Sequence, residues 1–262
     1  MSLLTLLVML TLAVLSPPAS AWNIPGHMLS GAIAYQVLQQ ESPQTIDKVK
    51  AALEKHPWYA SHWKARLQDA PVVDHSFVLF MQATRWADDI RTNDKQQHRA
   101  LWHYINWPFK PDGQPPSVQT REPEAVNILT AMTENQRIVA NGNDPERKAI
   151  AIARLFHFVG DIHQPLHAVQ LFTADYPQGD RGGNEICVRV TQAGQPMDLH
   201  RFWDGVITSS QNLTRLRNDA TALRNREGFQ RSQLTNFQTT TLSRGLKRAL
   251  RLRRRSLIPT VG

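Results

Sequence analysis

Apolar residues recur along the chain at intervals of three and four far more often than in strict alternation, which is the pattern of amphipathic helices. It predicts helices over Gly26 to Gln40, Phe80 to Arg91 and Glu122 to Asn141. Two further runs open on a polar residue followed by proline, Ser42-Pro43 and Asp144-Pro145, as an N-cap with proline in the first turn would. These predict helices reaching about Lys55 and about Ile162, and Leu213 to Arg226 begins as another. Period-two alternation is confined to Glu185 to Val190, just after Gly182-Gly183, so one small hairpin is expected there. Pro108, Pro111, Pro115 and Pro116 cluster in a loop between two helical runs and spare the helix interiors. The expected fold class is all-α, a mainly α-helical single domain with a small hairpin.

The first 21 residues follow a different pattern. Leu3 to Leu15 is apolar apart from Thr5 and Thr11, and Pro17-Pro18 is followed by Ala19-Ser20-Ala21, a small-x-small cleavage site. This is the signature of a secretory signal peptide cut before Trp22, although no Lys or Arg precedes the apolar run. The run is short of the roughly 20 residues a membrane span needs. A secreted or periplasmic protein is expected, without stable membrane insertion and acting as a monomer. Cys187 is the only cysteine, which excludes an intramolecular disulfide and any metal site built on several thiolates. Export without disulfides fits a bacterial periplasm better than a eukaryotic secretory route.

Net charge is +8, but the excess is local. From Gly228 to Gly262 there is no Asp or Glu, while Arg231, Arg244, Lys247, Arg248, Arg251, Arg253, Arg254 and Arg255 are all basic. Subtracting those eight from 30 basic residues leaves 22 against 22 acidic ones, so the body is neutral and the high pI belongs to a tail. The expected organisation is a signal peptide at 1–21, a single domain at 22–227 and a basic tail at 228–262.

The chemistry concentrates in LFHFVGDIHQPLHA, Leu155 to Ala168, where three histidines and an aspartate interrupt an apolar run. Such groups leave water only when a hydrogen-bond partner or a metal ion satisfies them. On a helix His157 and Asp161 lie one turn apart on one face, where a single ion reaches both. His163 falls on the opposite side and reads as a packing or hydrogen-bonded histidine, and Pro165 turns His167 out of the helical register. The His-x-x-x-Asp spacing recurs as His200 and Asp204, again with aromatic residues between. His103 and Asp88 stand in similar apolar-aromatic settings. His and Asp donors without thiolate suit catalytic zinc with an open coordination position; manganese and iron fit less well.

WNIPGH with Trp22 and His27, WADDIR, the histidine of LWHYIN, HFVGDIHQPLH, GGN and LHRFWD occur in an order that resembles the nuclease S-one/P-one family of zinc-dependent single-strand nucleases. The resemblance implies a helical fold around three zinc ions. Asp88, His103, His157 and Asp161 would hold the first, and His167, His200 and Asp204 the second. The amino group and carbonyl of Trp22, His27 and a bridging Asp161 would hold the third, so that removal of the signal peptide creates a ligand. The implied reaction is hydrolysis of single-stranded DNA or RNA to 5'-phosphorylated products, with removal of 3'-phosphates from nucleotides. Asp88 would orient the attacking water, Arg91 would neutralise the transferring phosphate and Asn184 would contact substrate. The sequence departs from the family after Asp204, where a further long amphipathic helix is expected and LKRALRLRRRSLIPTVG stands instead. A zinc phospholipase C and a noncatalytic binder of anionic polymers through the basic tail are the alternatives.

Overall fold

The computed structural model describes residues 22–229 and Gln233; the expected signal peptide at 1–21 and nearly all of the basic tail lie outside the described residues. Helices dominate. The first, α1 (Ile24–Glu41), is capped by Asn23, whose side chain accepts from the Gly26 amide at 2.9 Å. α2 (Pro43–Leu53) follows directly, with proline in its first turn. A π-helical turn at Tyr59–Trp63 leads into the short α3 (Lys64–Gln68), a segment that the periodicity did not reveal. α4 (His75–Asn93) is longer at both ends than expected and is buried on several sides, from Phe77 through Ile90.

α5 (Ile128–Asn141) starts six residues later than the periodicity suggested. Asn127 accepts from the amides of Leu129 and Thr130 while Thr130 Oγ1 accepts from the Asn127 amide, and this reciprocal cap starts the helix there. α6 (Pro145–Asp161) is capped by Asp144, which accepts from Glu146 and Arg147. The four-residue α7 (Pro165–Ala168), α8 (Leu199–Asp204) and α9 (Leu213–Asn225) complete the helices discussed here.

α1 lies between α4 and α9, and α6 lies against both α4 and α5. The contacts between α1 and α4 are filled by Met28, Ala32, Tyr35, Phe77 and Phe80, while Phe158, Ile128 and Met132 fill the space between α5 and α6. Trp63 and Trp86 close a third cluster with Leu53 and Leu79. The expected hairpin is present as β3 (Cys187–Val188) paired antiparallel with β4 (Met197–Asp198). A second pair was not anticipated: β1 (Trp107–Phe109) runs parallel to β2 (Val169–Leu171), with Pro108 opposite Gln170. Three-residue strands are too short to show a period, which is why the alternation missed them. Among the described residues, no helix is long and apolar enough to cross a membrane.

Asp144→Ala removes two cap bonds and should lower stability by about 1 kcal/mol in denaturant melts. An unchanged midpoint would show that α6 is held by packing alone.

Candidate metal centre

Six pieces of chain bring their polar side chains to one end of α6. α6 supplies His157 and Asp161, α4 supplies Asp88 and Arg91, and α1 supplies His27. The 3-10 turn Ala100–His103 supplies His103, α7 supplies His167, and α8 supplies His200 and Asp204. Every one of these imidazoles is buried, and Asp161 is wholly so.

Asp161 is the hub. Its Oδ2 lies 3.0 Å from His103 Nδ1 and 3.2 Å from His157 Nε2, and its Oδ1 lies 3.3 Å from His27 Nε2. Asp88 faces the same group, 3.8 Å from His157 Nε2 and 3.9 Å from His27 Nε2. His27 stacks on His157 with ring centroids 3.8 Å apart. Neither ring nitrogen of His27, nor Asp161 Oδ1, makes a hydrogen bond of acceptable geometry. Three groups of side chains have donor atoms close enough to share an ion: His27, Asp88 and His157; His103, His157 and Asp161; and His167, His200 and Asp204.

The hydrogen bonds behind the rings decide what the front faces offer. His157 Nδ1 is 2.8 Å from the Thr84 carbonyl, His167 Nδ1 2.6 Å from the His103 carbonyl and His200 Nδ1 2.7 Å from the Gly182 carbonyl. A carbonyl only accepts, so each Nδ1 carries a proton, and each ring when neutral presents a bare Nε2 lone pair. His167 Nε2 and His200 Nε2 then face each other at 3.1 Å as two acceptors, an arrangement that suits a shared cation and nothing neutral. This back-bonding to carbonyls is what orients imidazole ligands in metal sites. The donor set therefore fits divalent ions.

The electrostatics agree. Burial pushes His27 down to about 3, with the neighbouring His157 adding to the effect. Burial likewise drives His167 down to about 4, so both rings are neutral donors at ordinary pH. Burial also opposes ionisation of Asp161 and Asp88, but the surrounding imidazoles outweigh it and hold both carboxyls below their usual range. On His157 burial acts downward, yet Asp161 and Asp88 win and raise it to about 9. Two buried carboxylates thus demand positive charge, which a proton on His157 meets only in part. Asp204 is pushed up to about 9 by burial, with Asp88 and Asp161 adding to it against the Gln164 bond. A nearby divalent cation would restore its ionised, ligating form.

Trp22, the first described residue, is fixed beside this centre. Its indole N–H donates to the Gly160 carbonyl at 2.9 Å, and the Asn23 amide donates to the Asp204 carbonyl at 2.9 Å. Arg91 donates to Asp88 Oδ1 at 2.8 Å. His163 lies apart: it is exposed, with Nδ1 2.7 Å from the Val159 carbonyl, in keeping with its reading as a hydrogen-bonded histidine. Asn184 lines a cavity of about 210 Å³ that opens over the centre, together with Arg91, His98, His103, Tyr104, Arg181 and His200.

Several contributors were not singled out from sequence. Gln164 is fully buried and donates to Asp204 Oδ1 at 2.8 Å; an amide in an apolar run is the same anomaly that marks the histidines and should have been weighed with them. Arg154 stacks on Trp102 at 4.8 Å and donates to the Gln97 carbonyl at 3.1 Å, holding the loop that leads to His103, and burial lowers its pKa to about 10. Tyr104, the phenol lining the cavity, follows His103 directly.

A family model described as S1/P1 Nuclease matches residues 22–249. Endonuclease 3 of Arabidopsis thaliana is 38% identical over 85 residues, covering 32% of this chain and 24% of that protein. Nuclease S1 of Aspergillus oryzae is 26% identical over 132 residues, covering 50% and 42%. Endonuclease 1 of Arabidopsis thaliana is 25% identical over 192 residues, covering 70% and 53%. The chain spans from about a quarter to about half of the length of these curated relatives.

Gly160 has His27 against it: a Cβ there would lie 2.9 Å from His27 Nδ1 and 3.6 Å from Trp22 Cδ1. Gly→Ala inside a helix ordinarily stabilises by about 1 kcal/mol, whereas overpacking a rigid interior costs about 1–3 kcal/mol. Overpacking should win, so Gly160→Ala is expected to lower the melting temperature; a rise would show that His27 yields freely.

Proposed function

The chain belongs to the S1/P1 nuclease family, and from that premise we propose a zinc-dependent endonuclease that hydrolyses single-stranded DNA and RNA to 5'-phosphorylated products and removes 3'-phosphates from nucleotides. The observation that carries this reading is the gathering of three groups of His and carboxylate side chains at one end of α6, one of them built on Asp161, with the ring protons of His157, His167 and His200 turned outward to carbonyls. In this reading Asp88, His103, His157 and Asp161 hold one zinc ion, and His167, His200 and Asp204 hold a second. His27, Asp161 and the amino group and carbonyl of Trp22, freed by cleavage before it, hold a third. Zinc is favoured over other ions because the donors are imidazole and carboxylate, without thiolate, and the cavity leaves room for substrate.

Zinc bound there would supply the electrophilic chemistry, activating water for in-line attack on phosphorus and taking up charge on the leaving 3'-oxygen. The chain's own groups do the rest. Asp88, kept ionised by His157, His27, His103 and Arg91 against the effect of burial, accepts a hydrogen bond from the attacking water and aims it. Arg91, tethered to Asp88 at the cavity wall, sets its positive charge toward the equatorial oxygens of the phosphate. Asn184 contacts the nucleotide at the cavity wall, and Tyr104 offers the face on which an unpaired base stacks. A paired base could not reach that face without leaving its duplex, which supplies the selectivity for single strands.

The two alternatives have less support. The matching relatives are named as nucleases, which weighs against phospholipase C. The clustered side chains all lie upstream of the basic tail, which weighs against a binder acting through that tail. Export fits the reading, since cleavage before Trp22 would complete the third ligand set.

Asp161→Ala should cut cleavage of single-stranded DNA by at least about 100-fold, more than loss of an outer-shell partner usually costs. A chelator should abolish wild-type cleavage, and added zinc should restore it; cleavage that persists in chelator would refute the metal reading. A protein retaining one extra residue before Trp22 should lose one zinc equivalent by metal analysis, and full metal content would remove Trp22 from the ligand set.

A further inference from the structure

The cavity over the centre carries two arginines, and the clustered carboxylates account for one. Arg91 is paired with Asp88, and its charge bears on Asp88 and His98. Arg181 lines the same cavity, is exposed, and its guanidinium makes no hydrogen bond or ion pair with any described residue. Its charge bears instead on Tyr104, whose phenol is raised by burial and Glu124 and lowered by Arg181.

The backbone around Arg181 sharpens the point. Arg181 sits at φ +52°, in the left-handed region where a Cβ crowds the neighbouring carbonyl, and Gly182 and Gly183 follow at +64° and +86°. Glycine would occupy the first position without strain, as it does the next two. The loop is held firmly in this shape. Buried Asp180 accepts from the Leu171 amide at 2.8 Å and the Gly182 amide at 3.1 Å, and Asn184 Nδ2 donates to the Arg181 carbonyl at 2.7 Å. Strain retained at a cavity wall is a pointer to the side chain it displays. Here that side chain is a long cation whose planar donors match phosphate.

We propose that Arg181 determines substrate specificity by binding a phosphate of the single strand other than the one being cleaved. The inference rests on the nuclease reading. The phosphate under attack belongs at the metal-ligating groups beside Arg91. A strand whose base stacks on Tyr104 carries its next phosphate past the arginine that lines the same cavity. Arg181 thereby favours polynucleotides over substrates with a single phosphate.

Steady-state kinetics of Arg181→Gln and Arg181→Gly on a single-stranded oligodeoxynucleotide and on a dinucleoside monophosphate test this. The second substrate has only the bond to be cleaved. Both variants should raise KM for the oligonucleotide roughly tenfold with kcat unchanged, and flatten the slope of log KM against log salt by about 0.7. Both should leave the dinucleotide unaffected. Arg181→Gly should also melt no lower than wild type, because glycine relieves the left-handed strain. An unchanged oligonucleotide KM, or an equal rise on both substrates, would overturn the assignment. Recovery of wild-type KM in the glycine variant would do so too. Wild-type protein that cleaves neither substrate would sink the nuclease reading, and the role of Arg181 with it.

Discussion

A buried carboxylate surrounded by imidazoles is the constraint on which the rest of the structure depends. Asp161 turns one oxygen to His27 and the other to His103 and His157, side chains delivered by three separate segments. None of these groups would leave water singly, because an unpaired buried carboxylate is strongly disfavoured. Together they form a site where negative charge exceeds what protons alone conveniently neutralise, a donor set able to hold divalent cations. The packing of α1, α4 and α6 holds the residues in place: Phe77, Phe80 and Tyr35 fix α1 on α4, and α6 lies against α4.

Around that hub, main-chain carbonyls perform the fine orientation. Thr84, His103 and Gly182 each accept a ring proton, which settles the tautomer and aims the opposite nitrogen. The same device ties the loop at Gly182 to His200, so the segment that brings Arg181 and Asn184 to the cavity is mechanically continuous with a histidine of the cluster. Arg154, stacked on Trp102, steadies the chain leading to His103. The cavity wall and the clustered donors are therefore carried by shared segments.

Much of this was legible in the sequence, for physical reasons that differ from residue to residue. His157 and Asp161, like His200 and Asp204, stand four apart on a helix, and that spacing alone predicts a common face. His27, Asp88, His103 and His167 come from separate segments. Their association was foreseen through resemblance to a family, since no periodicity encodes it, and the structure brings all of them together. The start of α6 was visible because the Asp144 cap is local, and that of α2 was marked by Pro43 although Ser42 makes no capping bond to the backbone; the start of α5 was not, its cap pairing Asn127 with Thr130 in place of the usual Glu or Gln. The parallel pairing of β1 with β2 joins residues some 60 apart in three-residue strands, too short to leave a pattern. Tyr104 and Arg181 escaped notice because lining a cavity depends on tertiary placement.

The most direct test of the account is anomalous X-ray scattering from crystals of the mature protein, recorded on both sides of the zinc absorption edge. The account predicts peaks at all three groups, two of them bridged by Asp161 and one between His167 and His200. A folded, active enzyme without such peaks, with His157 bonded directly to Asp161 through a proton, would contradict it.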